Sequence, residues 1–259
     1  MSGGGGETLP RDTRRRGVYL LPNLFTTAAL FGGFYAIISA LNGRFIDASI
    51  AIFLAGIMDG LDGRVARWTH TVSEFGKEYD SLSDVIAFGL APAVVVYRWA
   101  FVPYLQESAI VARFGWLAAF FYAVTAALRL ARFNTHAPVL DKRYFQGLPS
   151  PAAAGLVASS VWLLEVWPRG SWIMIPAWIV LVATGALMVS QIRYYSFKDF
   201  NLAGRIRYTS AVAIPLFLIV IALSPAKVLF TCLLAYAVSG PLFSLWRWRH
   251  RRRKTGAGP

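Results

Sequence analysis

The chain has 259 residues, 56% hydrophobic and 15% charged, with a formal net charge of +13 at neutral pH. Its mean hydropathy of +0.51 is more apolar surface than one water-soluble core can hide, which places it among integral membrane proteins. The positive charge would suit nucleic acid, but the 26 basic residues are spread over segment ends and not gathered on one soluble face, so no nucleic-acid partner is expected.

Crossing ~30 Å of hydrocarbon takes about 20 apolar residues. Eight segments qualify: 20–41, 46–65, 82–102, 114–134, 149–167, 171–190, 208–224 and 226–246. The expected fold is an all-α polytopic bundle of about eight transmembrane helices. It divides into a basic N-terminal tail (1–19), a six-helix core (20–198), a C-terminal hairpin (199–246) turning at Ser224-Pro225, and a basic tail (247–259). Basic residues accumulate in cytoplasmic loops, and an N-terminus inside places most of them there. Arg247 to Lys254 reads as a juxtamembrane anchor to anionic lipid. Residues 1–16 are Gly-rich and then basic, without an apolar run, so no cleavable signal peptide is expected. Cys232, the single cysteine, excludes an internal disulfide and is expected to be a buried packing residue.

Segment one opens Leu21-Pro22-Asn23-Leu24-Phe25-Thr26. Pro22 suits a first helical turn, and Asn23 is expected to cap the helix, with a contact to the site as the alternative. Gly32-Gly33 lets another helix approach closely. Segment two runs from Asp47 into a stretch with four aspartates: Asp59-x-x-Asp62-Gly63-x-x-Ala66-Arg67, eight residues, then Gly76-x-x-x-Asp80-x-x-x-Asp84. In helical halves Asp59 and Asp62 share a face at i, i+3, and Asp80 and Asp84 share one at i, i+4. Converging carboxylates repel one another unless cations sit between them. Hard oxygen ligands suit Mg²⁺, Mn²⁺ or Ca²⁺, so the pattern outlines a two-metal site. Gly63 and Ala66 would let a ligand press against bare backbone, and Arg67 could reach a phosphate. Solvated surface acids are the bland alternative. It is disfavoured because apolar segments flank the stretch on both sides, and carboxylates at membrane depth are costly.

Pro92 is expected to kink the third segment at membrane depth. The fourth ends Ala127-Leu128-Arg129-Leu130-Ala131-Arg132-Phe133-Asn134. Arg129 and Arg132, one turn apart, read either as an anion clamp or as positive-inside residues snorkelling to the boundary. His136 is expected to be a solvated loop residue. The breaker cluster Gly147-Leu148-Pro149-Ser150-Pro151 should start the fifth segment, and the end of the sixth puts Arg193 at the depth of the other two arginines. The tryptophans and tyrosines near segment ends suit interfacial belts. There is no P-loop, no paired Cys and His for zinc and no nucleophile elbow, so the aspartates stand alone as chemistry. Intramembrane acids also mark ion paths, but a transporter would spread them over several helices.

The eight fixed residues Asp59, Asp62, Gly63, Ala66, Arg67, Gly76, Asp80 and Asp84 resemble the signature of the CDP-alcohol phosphatidyltransferases. Ser73-Glu74-Phe75-Gly76, Asp80 to Ala93, Arg129 to Asn134, Gly147 to Ala153 and Ser190-Gln191-Ile192-Arg193-Tyr194 are similar to the membrane-integral phosphatidylserine synthases of that superfamily. The resemblance runs from Pro22 to about Lys198. It implies a transferase in the cell (inner) membrane, facing the cytoplasm, that joins CDP-diacylglycerol to L-serine and releases CMP. Two Mg²⁺ or Mn²⁺ ions and a homodimer are implied with it. Asp59, Asp62 and Asp80 would be the principal metal ligands, with Asp84 close by as the base for the serine hydroxyl and a further ligand. Gly63, Ala66, Arg67 and Gly76 would shape the CDP-diacylglycerol pocket. Arg129, Arg132, Asn134 and Arg193 are the candidates for binding serine. Enzymes using glycerol 3-phosphate or inositol phosphate share the eight residues, so only the flanking blocks speak for serine.

Overall fold

The computed structural model describes residues 13–69, 73–106, 109–136, 144–195, 219 and 222–255. The architecture is all-α and polytopic. Helices α1 (Thr13–Leu41) and α2 (Phe45–Thr69) form a hairpin whose turn uses Gly43 at φ 74°. Helix α3 (Glu74–Asp84) continues through a π turn (Val85–Leu90), α4 (Ala91–Val96), a second π turn (Tyr97–Phe101) and a 3₁₀ turn (Val102–Tyr104) as one rod. Then come α5 (Ala109–His136), α6 (Ser150–Leu164), α7 (Met174–Val189) and α8 (Pro225–Thr255). Five stretches are long and apolar enough to cross a membrane: Asn23–Leu41, Glu74–Tyr104, Arg113–Thr135, Ser171–Val189 and Pro225–Trp246. Helix α2 has the length but carries the acids, and α6, with 15 residues, covers only ~22 Å at ~1.5 Å per residue.

Several expectations need correcting. Helix α1 begins at Thr13, so Pro22 and Asn23 lie inside it and Asn23 is not a cap. The third segment begins at Glu74, a full two turns before residue 82, because Ser73 caps it: its Oγ accepts from the Gly76 N–H at 3.0 Å. Cys232 is exposed on α8 and not buried. The helix α8 runs on through the basic residues to Thr255. Segment 208–224 lies almost wholly outside the described residues.

The core depends on small residues. A Cβ on Gly33 would come within 2.6 Å of the Ala87 Cα, and one on Gly32 within 3.0 Å of the Ala55 Cβ. Helix α1 therefore touches α2 and the first π turn backbone to backbone, as close-packed membrane helices do. Around this seam Ala36, Ala48, Ala51, Ala55, Ala87 and Ala91 are buried. At the end remote from the aspartates, the Arg98 Nη2 donates to the last carbonyl of α1, Leu41 O, at 3.0 Å. There too the Trp99 Nε1 donates to Glu165 at 2.7 Å, and Arg169 pairs with the same carboxylate.

The expected kink at Pro92 takes the form of the first π turn. Proline has no N–H and its ring crowds the carbonyl four residues back, here Phe88 O. Widening the turn relieves that crowding. The buried Tyr122 hydroxyl of α5 donates to Phe88 O at 3.1 Å, supplying a donor that the proline removed. Tyr122→Phe should therefore lower the melting temperature of the detergent-purified protein, at a cost of about 1 kcal/mol. In a Pro92→Ala background, where residue 92 regains its N–H, the same change should cost less. An equal loss in both backgrounds would break the link between the tyrosine and the proline.

Candidate active site

The first α1–α2–α3 contact builds the site. Asp59 projects from α2, and Asp80 and Asp84 from the second half of α3, with Asp84 its last residue. One carboxylate oxygen from each lies within 4.8 Å of the others. No lysine or arginine among the described residues forms a salt bridge with any of the three. At that spacing each pair of charges repels by about 3 kcal/mol at an effective dielectric of about 20. The donor set is three hard oxygens with no salt-bridge partner among the described residues, and it fits a divalent ion of the Mg²⁺ type.

Asp62 stands apart from this triad. It is buried and accepts a hydrogen bond from the Thr26 hydroxyl of α1. Thr26 also ties down α3, since the Ser83 Oγ donates to its carbonyl at 3.2 Å. One turn over, the Thr27 and Tyr79 hydroxyls pair at 3.0 Å. Helix α1, which contributes no acid, thus orients both acid-bearing helices.

The other expected residues divide. Gly63 faces open space, as does Gly60, which the sequence pattern did not single out. Ala66 follows on α2. Arg67 is exposed and its Nε donates to Gly63 O at 2.8 Å, folding the side chain back over that glycine. Gly76 lies in the first turn of α3, where an added Cβ would meet the Ser73 Oγ at 3.1 Å and the Asn23 Oδ1 at 3.5 Å. Asn23 therefore does reach the site, from inside α1.

Arg129 comes nearest to the acids in its electrostatics: it interacts across space with Asp84. Its Nη1 donates to the buried Ser150 Oγ at 2.8 Å, while its Nε is buried with no hydrogen-bond partner among the described residues. A buried N–H without an acceptor costs about 1–3 kcal/mol, so this edge is a place for an anion. Asn134 is directed to the motif helix, its Nδ2 donating to the Ser81 Oγ at 2.9 Å. Arg132 is half-buried at the end of α5. Arg193 is exposed and lies not on a helix but on a short antiparallel ribbon of β1 (Tyr144–Gln146) and β2 (Arg193–Tyr195), opposite Gln146. The ribbon draws the start of α6 onto the end of α7: the Gly147 N–H donates to Ile192 O at 2.8 Å, and the Leu148 N–H to Leu187 O at 3.0 Å. Gly147 has φ 78°, and a Cβ there would lie 2.2 Å from Met188 O.

Thr26 and Ser150 were the functional residues that spacing could not find, because each acts through a hydroxyl on a helix without acids. The only sequence trace was their place inside the Leu21–Thr26 and Gly147–Pro151 strings.

A predominantly helical membrane protein whose described residues hold one carboxylate cluster fit for a hard cation points to a class, the integral membrane enzymes that work with divalent metals. The family model described as CDP-alcohol phosphatidyltransferase matches residues 19–189, and the chain belongs to that family, one of metal-dependent phosphotransferases. A CDP-diacylglycerol–serine O-phosphatidyltransferase of Helicobacter pylori is 41% identical over 184 residues, covering 70% of this chain and 74% of that one. One from Mycobacterium leprae is 30% identical over 259 residues, covering 96% and 81%. An archaetidylserine synthase of Methanothermobacter thermautotrophicus is 35% identical over 176 residues, covering 67% and 69%.

The Thr26 hydroxyl gives the site a direct test. Thr26→Val keeps the volume and removes the donor to Asp62. The divalent-ion concentration for half-maximal activity should rise about 10- to 100-fold, the usual cost of losing a partner that orients a ligand. An unaltered metal titration would show that Asp62 needs no such orientation.

Proposed function

We propose that the chain transfers the phosphatidyl group of CDP-diacylglycerol to the hydroxyl of L-serine, releasing CMP. The observation that carries serine is what its relatives have in common: the lipid in their names varies, diacylglycerol in some and archaetidyl in another, while serine stays. The serine Oγ attacks the phosphorus that bears the diacylglycerol, the bond from that phosphorus to the bridging oxygen of CMP breaks, and the hydroxyl proton passes to a carboxylate. Asp84 is assigned that proton. It belongs to the carboxylate triad, and Arg129, the cation that would hold serine, acts on it across space.

Asp59, Asp62, Asp80 and Asp84 are assigned to two Mg²⁺ or Mn²⁺ ions, which when bound would neutralise the pyrophosphate and the departing CMP. Gly63, where an added Cβ would meet nothing, leaves room for the nucleotide beside bare backbone; Ala66 and Gly76 are assigned to the same pocket, and Arg67, bonded to Gly63 O, to a phosphate. Arg129 is the leading holder of the serine carboxylate, because the unpartnered Nε and the planar guanidinium suit a two-point pair. Arg132, Asn134 and Arg193 are the further candidates for holding serine. The catalytic unit is assigned to residues 20–198, in the cell (inner) membrane with the site towards the cytoplasm. Arg64, Arg67 and Lys77, on the acid-bearing helices α2 and α3, and Arg129 and Arg132, at the end of α5 that reaches Ser81 of α3, support that orientation. The family resemblance supports a homodimer.

Purified protein given CDP-diacylglycerol and a panel of alcohols should release CMP with serine. Release with glycerol 3-phosphate or inositol phosphate instead would overturn the acceptor while leaving the family intact. Excess chelator should abolish turnover. Asp84→Asn should lower kcat at least ~10²-fold while CDP-diacylglycerol still binds. If binding is lost as completely as in Asp59→Asn, Asp84 is chiefly a metal ligand.

A further inference from the structure

The Arg129 guanidinium is held from one side. Its Nη1 donates to the Ser150 Oγ at 2.8 Å, and Nη1 is the nitrogen on the Cδ side of the group, away from the edge formed by Nε and Nη2. Neither Nε nor Nη2 has a hydrogen-bond partner among the described residues, and Nε is buried. That free edge is the side-on fork with which an arginine grips a carboxylate at two points. The hydroxyl that holds the group has little freedom of its own. Ser150 is fully buried and is the first residue of α6, set between Pro149 and Pro151, whose rings fix the backbone on either side. Just ahead of it the Gly147 N–H donates to Ile192 O at 2.8 Å and the Leu148 N–H to Leu187 O at 3.0 Å, fastening this turn to the end of α7 and the strand beyond.

We propose that Ser150 is a positioning residue for Arg129: by taking Nη1 it turns the Nε–Nη2 edge towards the acceptor alcohol and so sets the preference for an alcohol that carries a carboxylate. A guanidinium on a long side chain keeps its fork aimed only if its rotamers are restricted. A bond to Nη1 restricts them without using either nitrogen of the fork. Were Ser150 absent, the buried Nη1 would compete for the same carboxylate, and the group would rotate to satisfy whichever nitrogen was left bare. The ribbon enters through Gly147 and Leu148, because their bonds fix where α6 begins and hence where the hydroxyl lies. This inference rests on the assignment of Arg129 to the serine carboxylate.

Ser150→Ala removes the acceptor and leaves the backbone as it is. With the full-length protein in detergent, the KM for serine should rise about tenfold, the scale of one lost charge-assisted hydrogen bond. The kcat should stay within about twofold, as when only binding is weakened, and the KM for CDP-diacylglycerol should be unchanged. Ser150→Cys, nearly the same size but with a weak acceptor in place of the hydroxyl, should show the same selective rise. Arg129→Lys should raise the serine KM at least as much, and the double variant Ser150→Ala, Arg129→Lys no further than Arg129→Lys alone. If Arg129→Lys raises the serine KM and neither Ser150 variant does, the anion assignment stands and the positioning role is overturned. If Arg129→Lys leaves the serine KM at the parental value, the anion assignment fails and the positioning role fails with it. Multiplying effects in the double variant would show that Ser150 acts independently of Arg129, and a parallel rise in both KM values would mean that it only holds the fold. Either result overturns the proposal.

Discussion

The structure depends on how closely the backbones of α1, α2 and the α3 rod approach one another. Three carboxylate oxygens within 4.8 Å cannot be gathered by flexible side chains at membrane depth, because their repulsion would splay any loosely packed pair of helices. Gly32 and Gly33 remove the side chains that would hold α1 off, and the facing residues, Ala55 and Ala87, are nearly as small. In lipid no hydrophobic force drives helices together, so association rests on van der Waals contact and buried hydrogen bonds. Both are concentrated at this seam. Thr26 bonds to α2 through its hydroxyl and to α3 through its carbonyl about two turns from the glycines. Packing and chemistry are therefore one constraint: the residues that bring the helices together also aim the acids.

The same economy shapes the α3 rod. A membrane helix that carries proline must relieve the crowded carbonyl and find donors from neighbours. Here two successive π turns and the Tyr122 hydroxyl meet that need. Widening the helix just after Asp84 also places Ala87 where Gly33 can meet it. The irregularity lies between the catalytic end of the rod and its apolar length, as π turns at functional sites commonly do.

Much of this was legible in the residues, and what was not has a physical reason. The i, i+3 and i, i+4 spacing put the acids on shared helix faces because helix periodicity is a local property, and the glycine pair announced close packing for the same reason. Asn23 was misread since nothing local distinguishes a cap from an interior residue when the helix begins ten residues earlier, in a stretch of arginines. Arg193 was placed on a helix because Ser190-Gln191-Ile192 has no strong breaker. The ribbon that captures it exists only through pairing with residues 144–146, almost fifty positions away, a contact that periodicity cannot see. For Cys232 the general tendency of cysteine to be buried points to the core. A membrane helix such as α8 can leave it on an exposed face, because the solvent there is lipid and an apolar thiol is at no disadvantage.

The division of labour between the two sides of the site follows from these contacts. The acid side is held by helix-to-helix approach within residues 23–88, a compact unit of local hairpin and rod. The cation side is assembled from distant pieces: Arg129 from α5, Ser150 from α6, and the ribbon and α8 behind them. A site that processes several alcohols across one family needs its metal-binding half to stay constant while its acceptor half changes. Contacts made by long-range assembly can change one element at a time, whereas the glycine-packed seam cannot change without moving the acids. Selectivity for the acceptor is therefore expected to reside where the chain comes together late and from afar, around Arg129, and not in the aspartate motif that marks the family.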